Sequence, residues 1–452
     1  MTDAATVQKI RRAHPEILKA EALRPRTIDE LRSCIDPGIT VPFPLRPRGG
    51  NTASTDCNSS PSGLIIDMSA LDRIVSVDVE NSTVTAEAGV RLETLVAELD
   101  KMDLEIPGCF DLYRHTVGGA VAAPCIGPGI GEDAATLGKQ IDSMRVVTPG
   151  GKLIDVRAND PKSMPLFRAS YGLLGVIAEV TFRIRPKRAF NVAYRKLDHS
   201  SLLKGLDTLV GLPVGLRFFI APHRDRAWLE LMRPADEIAN VSERAWRARD
   251  FGETVVLPAL FRSIQRVVPM KNLKYRLIDG VSGLSKDLGQ NRFLKTGSYA
   301  LAASHRQHGD ESSTPQYSTW CFPASKASDV VAAYIEFTKA MYRHSGYRCD
   351  LPAVGFRVAR DATALLSPAR AEPMLALKVS STVADGWEDF VIDLADFGER
   401  WGGIPMFNQT RAVSTGYAQS SYGASLRAFA SIRRRMDPDN RLLNPFLAQY
   451  FS

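Results

Sequence analysis

The stretch Pro47-Arg48-Gly49-Gly50-Asn51-Thr52-Ala53-Ser54-Thr55, closed by Gly63-Leu64-Ile65-Ile66-Asp67-Met68, carries more structural information than any other part of the chain. Two adjacent glycines let a tight turn bring main-chain N–H groups against a ligand, and the small hydroxyl residues behind them add donors. Such a turn suits a diphosphate. Arg48 at its mouth and the apolar run beyond it suit a cofactor buried along its length.

Two further Gly-rich segments follow: Thr116-Val117-Gly118-Gly119-Ala120-Val121-Ala122-Ala123, then Gly172-Leu173-Leu174-Gly175-Val176-Ile177. Each alone reads as an ordinary turn. In order, on one half of the chain, they read as parts of one site. Neither GxGxxG after a first strand nor GxxxxGK[ST] is present, which argues against a Rossmann or P-loop nucleotide site.

At 452 residues the chain is too long for one ordinary core, and two domains are expected. Hydrophobic content of 44% and charged content of 24% fit a soluble globular protein. The six cysteines (Cys34, Cys57, Cys109, Cys125, Cys321, Cys349) are scattered with no CxxC pair, so neither a metal site nor a disulfide framework is expected. No signal peptide or spanning segment is readable in Met1–Ala20, which points to a cytoplasmic protein without stable membrane insertion. The net charge is +7, but no basic stripe with interleaved aromatics appears, so nucleic acid is not an expected partner. Arg433-Arg434-Arg435 closes an apolar-periodic segment and complements a helix C-terminus, stopped by Asp437-Pro438.

Residues 22–190 alternate strand and helix signals. Thr27 with Glu30 three residues later opens a helix. Arg73–Asp78 and Ser82–Ala88 form a strand pair, and Leu92, Leu95, Val96, Leu99 and Met102 share a helical face. Pro149-Gly150-Gly151 joins a hairpin, and Val176–Ile184 alternates as a half-buried strand. Beyond about 190 the texture changes to long mixed segments holding all five tryptophans. The expected units are 1–190, a second domain over 191–420, and 421–452 returning to the first.

The order and wording of these segments resemble the FAD-binding domain of the vanillyl-alcohol oxidase (PCMH-type) flavoprotein superfamily. Gly63–Met68, Glu87-Ala88-Gly89-Val90, Pro107-Gly108 and Thr116–Gly119 look most like its aldonolactone oxidase and decaprenylphosphoryl-ribose oxidase branches. Asp437-Pro438-Asp439-Asn440-Arg441-Leu442-Leu443-Asn444-Pro445 is similar to the terminal signature of the aldonolactone oxidases. The implied fold is α+β: a two-part FAD-binding domain plus an α+β substrate (cap) domain with an antiparallel sheet. The resemblance places the FAD diphosphate against Arg48, Gly49, Gly50, Asn51, Thr52, Ala53, Ser54, Thr55 and against Thr116, Val117, Gly118, Gly119. It places Pro107, Gly108, Ala122, Ala123, Pro124, Cys125 and Ile126 further along the cofactor, Ile177 at its adenine or ribose side, and Asn444 among its neighbours.

Many relatives tether FAD through a histidine in the first loop, where this chain has Thr52, so dissociable FAD is expected. His115 and Cys125, near the second loop, read as a pocket-wall group and a small buried thiol rather than tethers. In sugar-alcohol and aldonolactone oxidases a Glu-x-Arg pair and a His-Trp-x-Lys segment face the flavin. This chain offers Gly355-Phe356-Arg357, without the acid, and Gly402–Gln409, with Gln409 in place of the lysine.

Removing a hydride from a carbinol carbon calls for a fixed cation or amide near the ring and a base for the hydroxyl proton. Arg357 is expected as the cation with Arg411 in reserve, while Gln409 and Asn408 can hydrogen-bond but cannot act as bases. Tyr422, Tyr417 and His305 are the candidates to handle the proton. The expected activity is FAD-dependent oxidation of a CH–OH group in a sugar, lactone or other small polar alcohol, the flavin being reoxidised by oxygen or another acceptor. The alternatives are a tailoring enzyme of secondary metabolism (reduction or C–C bond formation) and a flavin-binding partner subunit that has lost its chemistry.

Overall fold

The computed structural model describes residues 22–38, 41–109, 114–235, 246, 252–291, 296–299 and 315–452. The first domain starts with β1 (Ala22–Leu23) and α1 (Ile28–Ile35). Thr27 caps α1 by accepting from the Glu30 N–H at 3.1 Å. β2 (Leu45–Arg48) and β3 (Leu64–Asp67) complete a parallel three-stranded sheet in the order β1-β3-β2. The Gly-rich loop therefore leaves the end of β2 directly, with β3 as its floor.

A five-stranded sheet of order β4-β5-β9-β7-β8 forms the second part of this domain. It contains β4 (Ile74–Asp78), β5 (Thr83–Glu87), β7 (Ile141–Val147), β8 (Leu153–Arg157) and β9 (Val176–Arg183). Short β6 (Leu104–Glu105) pairs with β10 (Arg185–Pro186). α2 (Leu92–Asp100) buries Leu92, Leu95, Val96 and Leu99 of the face its periodicity predicts, while Met102 lies beyond the helix end and is exposed. α3 (Val117–Ala122) follows the second Gly-rich loop, and α4 (Met164–Phe167) precedes the third. The third Gly-rich segment is a tight turn into β9. Gly172 and Gly175 have φ of +69° and +153°, and a Cβ on Gly175 would sit 2.6 Å from Val146.

The second domain is built on an eight-stranded sheet of order β14-β11-β13-β12-β16-β17-β15-β18. Its strands are β11 (Ala189–Leu197), β12 (Gly215–Ala221), β13 (Arg226–Pro234), β14 (Thr296–Ser298), β15 (Gln316–Pro323), β16 (Ala353–Val358), β17 (Met374–Ser381) and β18 (Ile404–Pro405). Strand side chains alternate between faces. One face, with Leu216, Phe218, Ile220, Leu229 and Leu375, packs against α5 (His199–Gly211) and α8 (Ala327–His344). The other, with Phe356, Val358, Cys321 and Ala376, meets Ile126 of the first domain. α6 (Leu257–Val267) and α7 (Lys271–Asn291) lie between β13 and β14 in the chain, and α9 (Trp387–Arg400) precedes β18.

The chain ends in α10 (Thr415–Tyr422), α11 (Ala424–Met436) and α12 (Pro445–Phe451). These return to the first domain, where Leu45 N donates to Arg441 O at 2.7 Å. Arg433–Arg435 lie in the last turn of α11 as predicted, but Arg433 is buried and bonds Asn440 and the Asp437 carbonyl. Among the described residues no helix is long and apolar enough to cross a membrane.

Candidate active site

The two Gly-rich loops are locked face to face. A Cβ on Gly49 would lie 2.1 Å from Thr116 Oγ1, and one on Gly50 would lie 2.1 Å from the Arg114 carbonyl oxygen. Glycine is required at both places by close approach. Beyond them, Asn51 adopts a left-handed φ of +50°. The N–H groups of Gly50, Asn51, Thr52 and Ala53 donate to no acceptor among the described residues. A run of open amides in a Gly-bearing turn is a concavity for anionic oxygens.

The second loop contributes differently from what its sequence suggests. Val117 N and Gly118 N donate to Val90 O and Ala88 O, both at 2.8 Å, and Gly119 N goes to Thr116 Oγ1 at 3.3 Å. These amides hold the loop against β5 and are not open to a phosphate. Gly118 serves packing, with a Cβ on it landing 2.8 Å from that of Ala88, while Gly119 is exposed. Gly108, at φ +75°, passes 2.3 Å from Asp133 O by the same measure, so Pro107-Gly108 is pressed onto the 131–134 turn. The carbonyls of Ala122 and Cys125 accept from Tyr171 N and Leu137 N, and Ile126 reaches the cap sheet. Ala123 and Pro124 link them. Cys125 is buried, and burial pushes its thiol well up, so it fits a small apolar wall group. Ile177 sits in the core on β9, paired with Val146.

The segment after β18 clasps the first loop. Ser54 N donates to Asn408 O at 3.0 Å, Ser54 Oγ to Gln409 O at 3.0 Å, and Thr55 Oγ1 to Phe407 O at 2.6 Å. Arg411 Nε reaches Ser54 O at 2.6 Å while its Nη1 pairs with Glu388 at 2.6 Å. The main-chain carbonyls of Asn408 and Gln409 and the guanidinium of Arg411 thus shape the loop. Asn444 is also displaced by one layer: it caps α12 and ties Asp56 O and Ser59 O at 2.8 and 2.9 Å.

Arg357 is not where the Glu-x-Arg comparison placed it. Its cross-strand partner is Leu375, on the helix-covered face, and its Nε and Nη1 donate to Val210 O at 3.1 Å and Gly131 O at 2.8 Å. Burial lowers its pKa, with Glu132 pulling the other way. It braces α5 and the 131–134 turn. Gly355 is on that same face, where a Cβ would run into the Phe218 ring at 2.1 Å, so an acid could not replace it. On β16 the residues turned to the first domain are Val354, Phe356 and Val358.

Tyr422 and Tyr417 are not free to handle protons. Their hydroxyls donate to Pro405 O at 2.6 Å and Gly403 O at 2.8 Å. Burial pushes the Tyr417 hydroxyl up to about 12 and Tyr422 higher still. His305 lies outside the described residues.

Polar groups that composition and motif did not single out stand on the crevice face of the cap sheet. Arg217 on β12 pairs with Glu230 on β13 (Nε–Oε2 2.6 Å), and Tyr194 on β11 donates to Glu230 Oε1 at 2.6 Å. All three share a row with Phe356, since Arg217 is registered with both Phe356 and Glu230. Tyr317 on β15 donates to Thr52 O at 2.5 Å, and Lys378 Nζ lies 4.3 Å from its ring centroid. The signal that could have found them is strand alternation, which marks Arg217 and Glu230 as charges inside otherwise apolar strands.

The residues present fit a nucleotide cofactor. Arg48 Nε, Asn408 Oδ1 and Thr319 Oγ1 are buried around the loop without a hydrogen-bond partner among the described residues. With the open amides beside them, they are groups that need a polar ligand.

Comparison with known proteins agrees with this geometry. A family profile described as FAD binding domain matches residues 20–157, and one described as D-arabinono-1,4-lactone oxidase matches residues 180–450. The chain belongs to the D-arabinono-1,4-lactone oxidase family. Within that family's reach, the chain is 29% identical over 215 residues to an L-gulono-1,4-lactone dehydrogenase of Mycobacterium tuberculosis, covering 48% of this chain and 49% of that protein. A mitochondrial L-galactono-1,4-lactone dehydrogenase of Arabidopsis thaliana is 27% identical over 161 residues, covering 35% and 26%. The chain thus spans about half or less of the length of these relatives. In fold it is similar to cholesterol oxidase from B. sterolicum, with a TM-score of 0.73, 15% identity, and 95% and 93% of the two chains covered.

Proposed function

We propose that this lactone-oxidase-family chain is an FAD-dependent enzyme that oxidises a CH–OH group of an aldonolactone, sugar or related polar alcohol, with FAD held non-covalently. The observation that carries the reading is the pairing of open amides at Gly50–Ala53 with a cap face bearing Arg217, Glu230 and Lys378. Bound FAD would supply the acceptor for a hydride leaving the carbinol carbon. Arg217 and Lys378 put positive charge on the face where negative charge develops. Glu230, whose two oxygens accept from Tyr194 and Arg217, is our candidate for the carboxylate that would take the hydroxyl proton.

Thr52 cannot form a tether, so acid denaturation is expected to release yellow flavin into the supernatant; colour in the precipitate would refute the non-covalent assignment. The free state of all six cysteines supports a reducing, cytoplasmic setting. The decisive test is anaerobic mixing of the FAD-loaded chain with aldonolactones and polyols. Bleaching of the flavin band supports the reading, and a spectrum unmoved by any of them rejects it in favour of a non-catalytic flavin protein. A second reading follows from Val354 and Phe356 on the crevice side of β16. Those side chains favour a substrate with an apolar ring face, and faster bleaching by sterols or aryl alcohols would select it.

A further inference from the structure

Thr52 lies inside the first loop, yet the group that fixes its carbonyl comes from the other domain. Tyr317 is half-buried, and its hydroxyl donates to Thr52 O at 2.5 Å. Lys378, one strand away on β17, holds the face of its ring at 4.3 Å. The ring's position is therefore set by the cap sheet and not by the loop.

A trans peptide is planar, with its C=O and the following N–H pointing in opposite directions. Committing Thr52 O to Tyr317 turns the Ala53 N–H away from the cap tyrosine, and that N–H is one of the four open amides. Ser54 is held on both sides in the same manner, its N–H by Asn408 O and its carbonyl by Arg411 Nε. Without these clasps the loop would populate several peptide orientations, and ordering them would weaken ligand binding.

We propose that Tyr317 is a positioning residue of the FAD site, presetting the Thr52–Ala53 peptide so that docking of the cap and binding of FAD form one linked equilibrium. The inference rests on the assignment of the first loop to FAD. A ligand that binds one arrangement better shifts the population toward it, so FAD in turn tightens the cap onto the loop.

Tyr317→Phe removes one hydroxyl and keeps the ring under Lys378. Titrating FAD into the flavin-free full chain, followed by flavin fluorescence, is expected to show roughly tenfold weaker affinity, which corresponds to about 1.4 kcal/mol. The melting temperature should fall more with saturating FAD than without it, so that the rise FAD produces shrinks. Hydrogen exchange in β15 should slow on FAD binding in the parent and much less in the variant. An unchanged affinity, or an equal loss of melting temperature with and without FAD, overturns the proposal. Gly50→Ala separates it from the assignment beneath it. If Gly50→Ala leaves FAD binding intact, the loop assignment fails; if it abolishes binding while Tyr317→Phe does nothing, only the role of Tyr317 falls.

Discussion

The two walls of the crevice recognise by different means. The first domain presents main chain: glycines at 49 and 50 pressed onto the second loop, and amides left open between 50 and 53. The cap presents side chains, Arg217, Glu230, Tyr194, Tyr317 and Lys378, carried on strands far apart in sequence. A wall made of backbone tolerates little change in residue type and much in surroundings. A wall made of side chains behaves the other way, since its identity lies in which residues one sheet face happens to align.

That contrast can be broken at several points. The largest effect is expected from Gly50→Ala, whose Cβ meets a main-chain carbonyl that no side-chain rotation can move. Flavin binding should fall by more than about a hundredfold, equivalent to ~3 kcal/mol, in an equilibrium titration. Glu230→Leu leaves the Arg217 guanidinium buried without its carboxylate, and chemical denaturation should report a loss of about 3–5 kcal/mol. Its flavin bleaching should also be lost, whereas FAD affinity should fall less than in Tyr317→Phe, because Arg217 and Tyr194, the partners of Glu230, lie on the cap sheet and not on the first loop.

Arg357→Met should cost roughly 1–3 kcal/mol by leaving two buried carbonyls without a donor. Its anaerobic bleaching rate should stay within about twofold of the parent, or ~0.4 kcal/mol of barrier; a collapse in rate would return Arg357 to the reaction. The smallest effect concerns His223 on the cap, which burial and Arg348 push down to about 4. Its folded-state pKa lies below the unfolded value, so the unfolded chain takes up the proton first and stability falls as pH drops from about 6.5 toward 4. Thermal melts across that range should show a shallower acid slope in His223→Gln than in the parent.

The contrast also explains what was legible. Thr27 as a cap, the buried face of α2, the turn at 149–151 and the strand Val176–Arg183 follow local periodicity and turn chemistry. The first loop was readable because its glycines serve close approach, and close approach leaves its mark within a few residues. Motif spacing misled where a strand face mattered. Gly355-Phe356-Arg357 carries the right arginine on the wrong side of β16, because its partner there is Leu375 above the helices. In the 402–411 segment the main-chain carbonyls of Phe407, Asn408 and Gln409 are spent on Ser54 and Thr55, a use invisible in residue type.

The order and wording of the motifs carried the resemblance to the family and its FAD-binding half, and glycine placement marked the first loop, since both are written in the residue types themselves. The partnership of Arg217 with Glu230, the turning of Arg357 away from the crevice and the grip of Tyr317 on Thr52 came from strand register and domain docking. Such contacts join residues from 13 to 265 positions apart, and a shift of one residue in strand pairing would turn Arg217, Glu230 and Arg357 to the opposite faces.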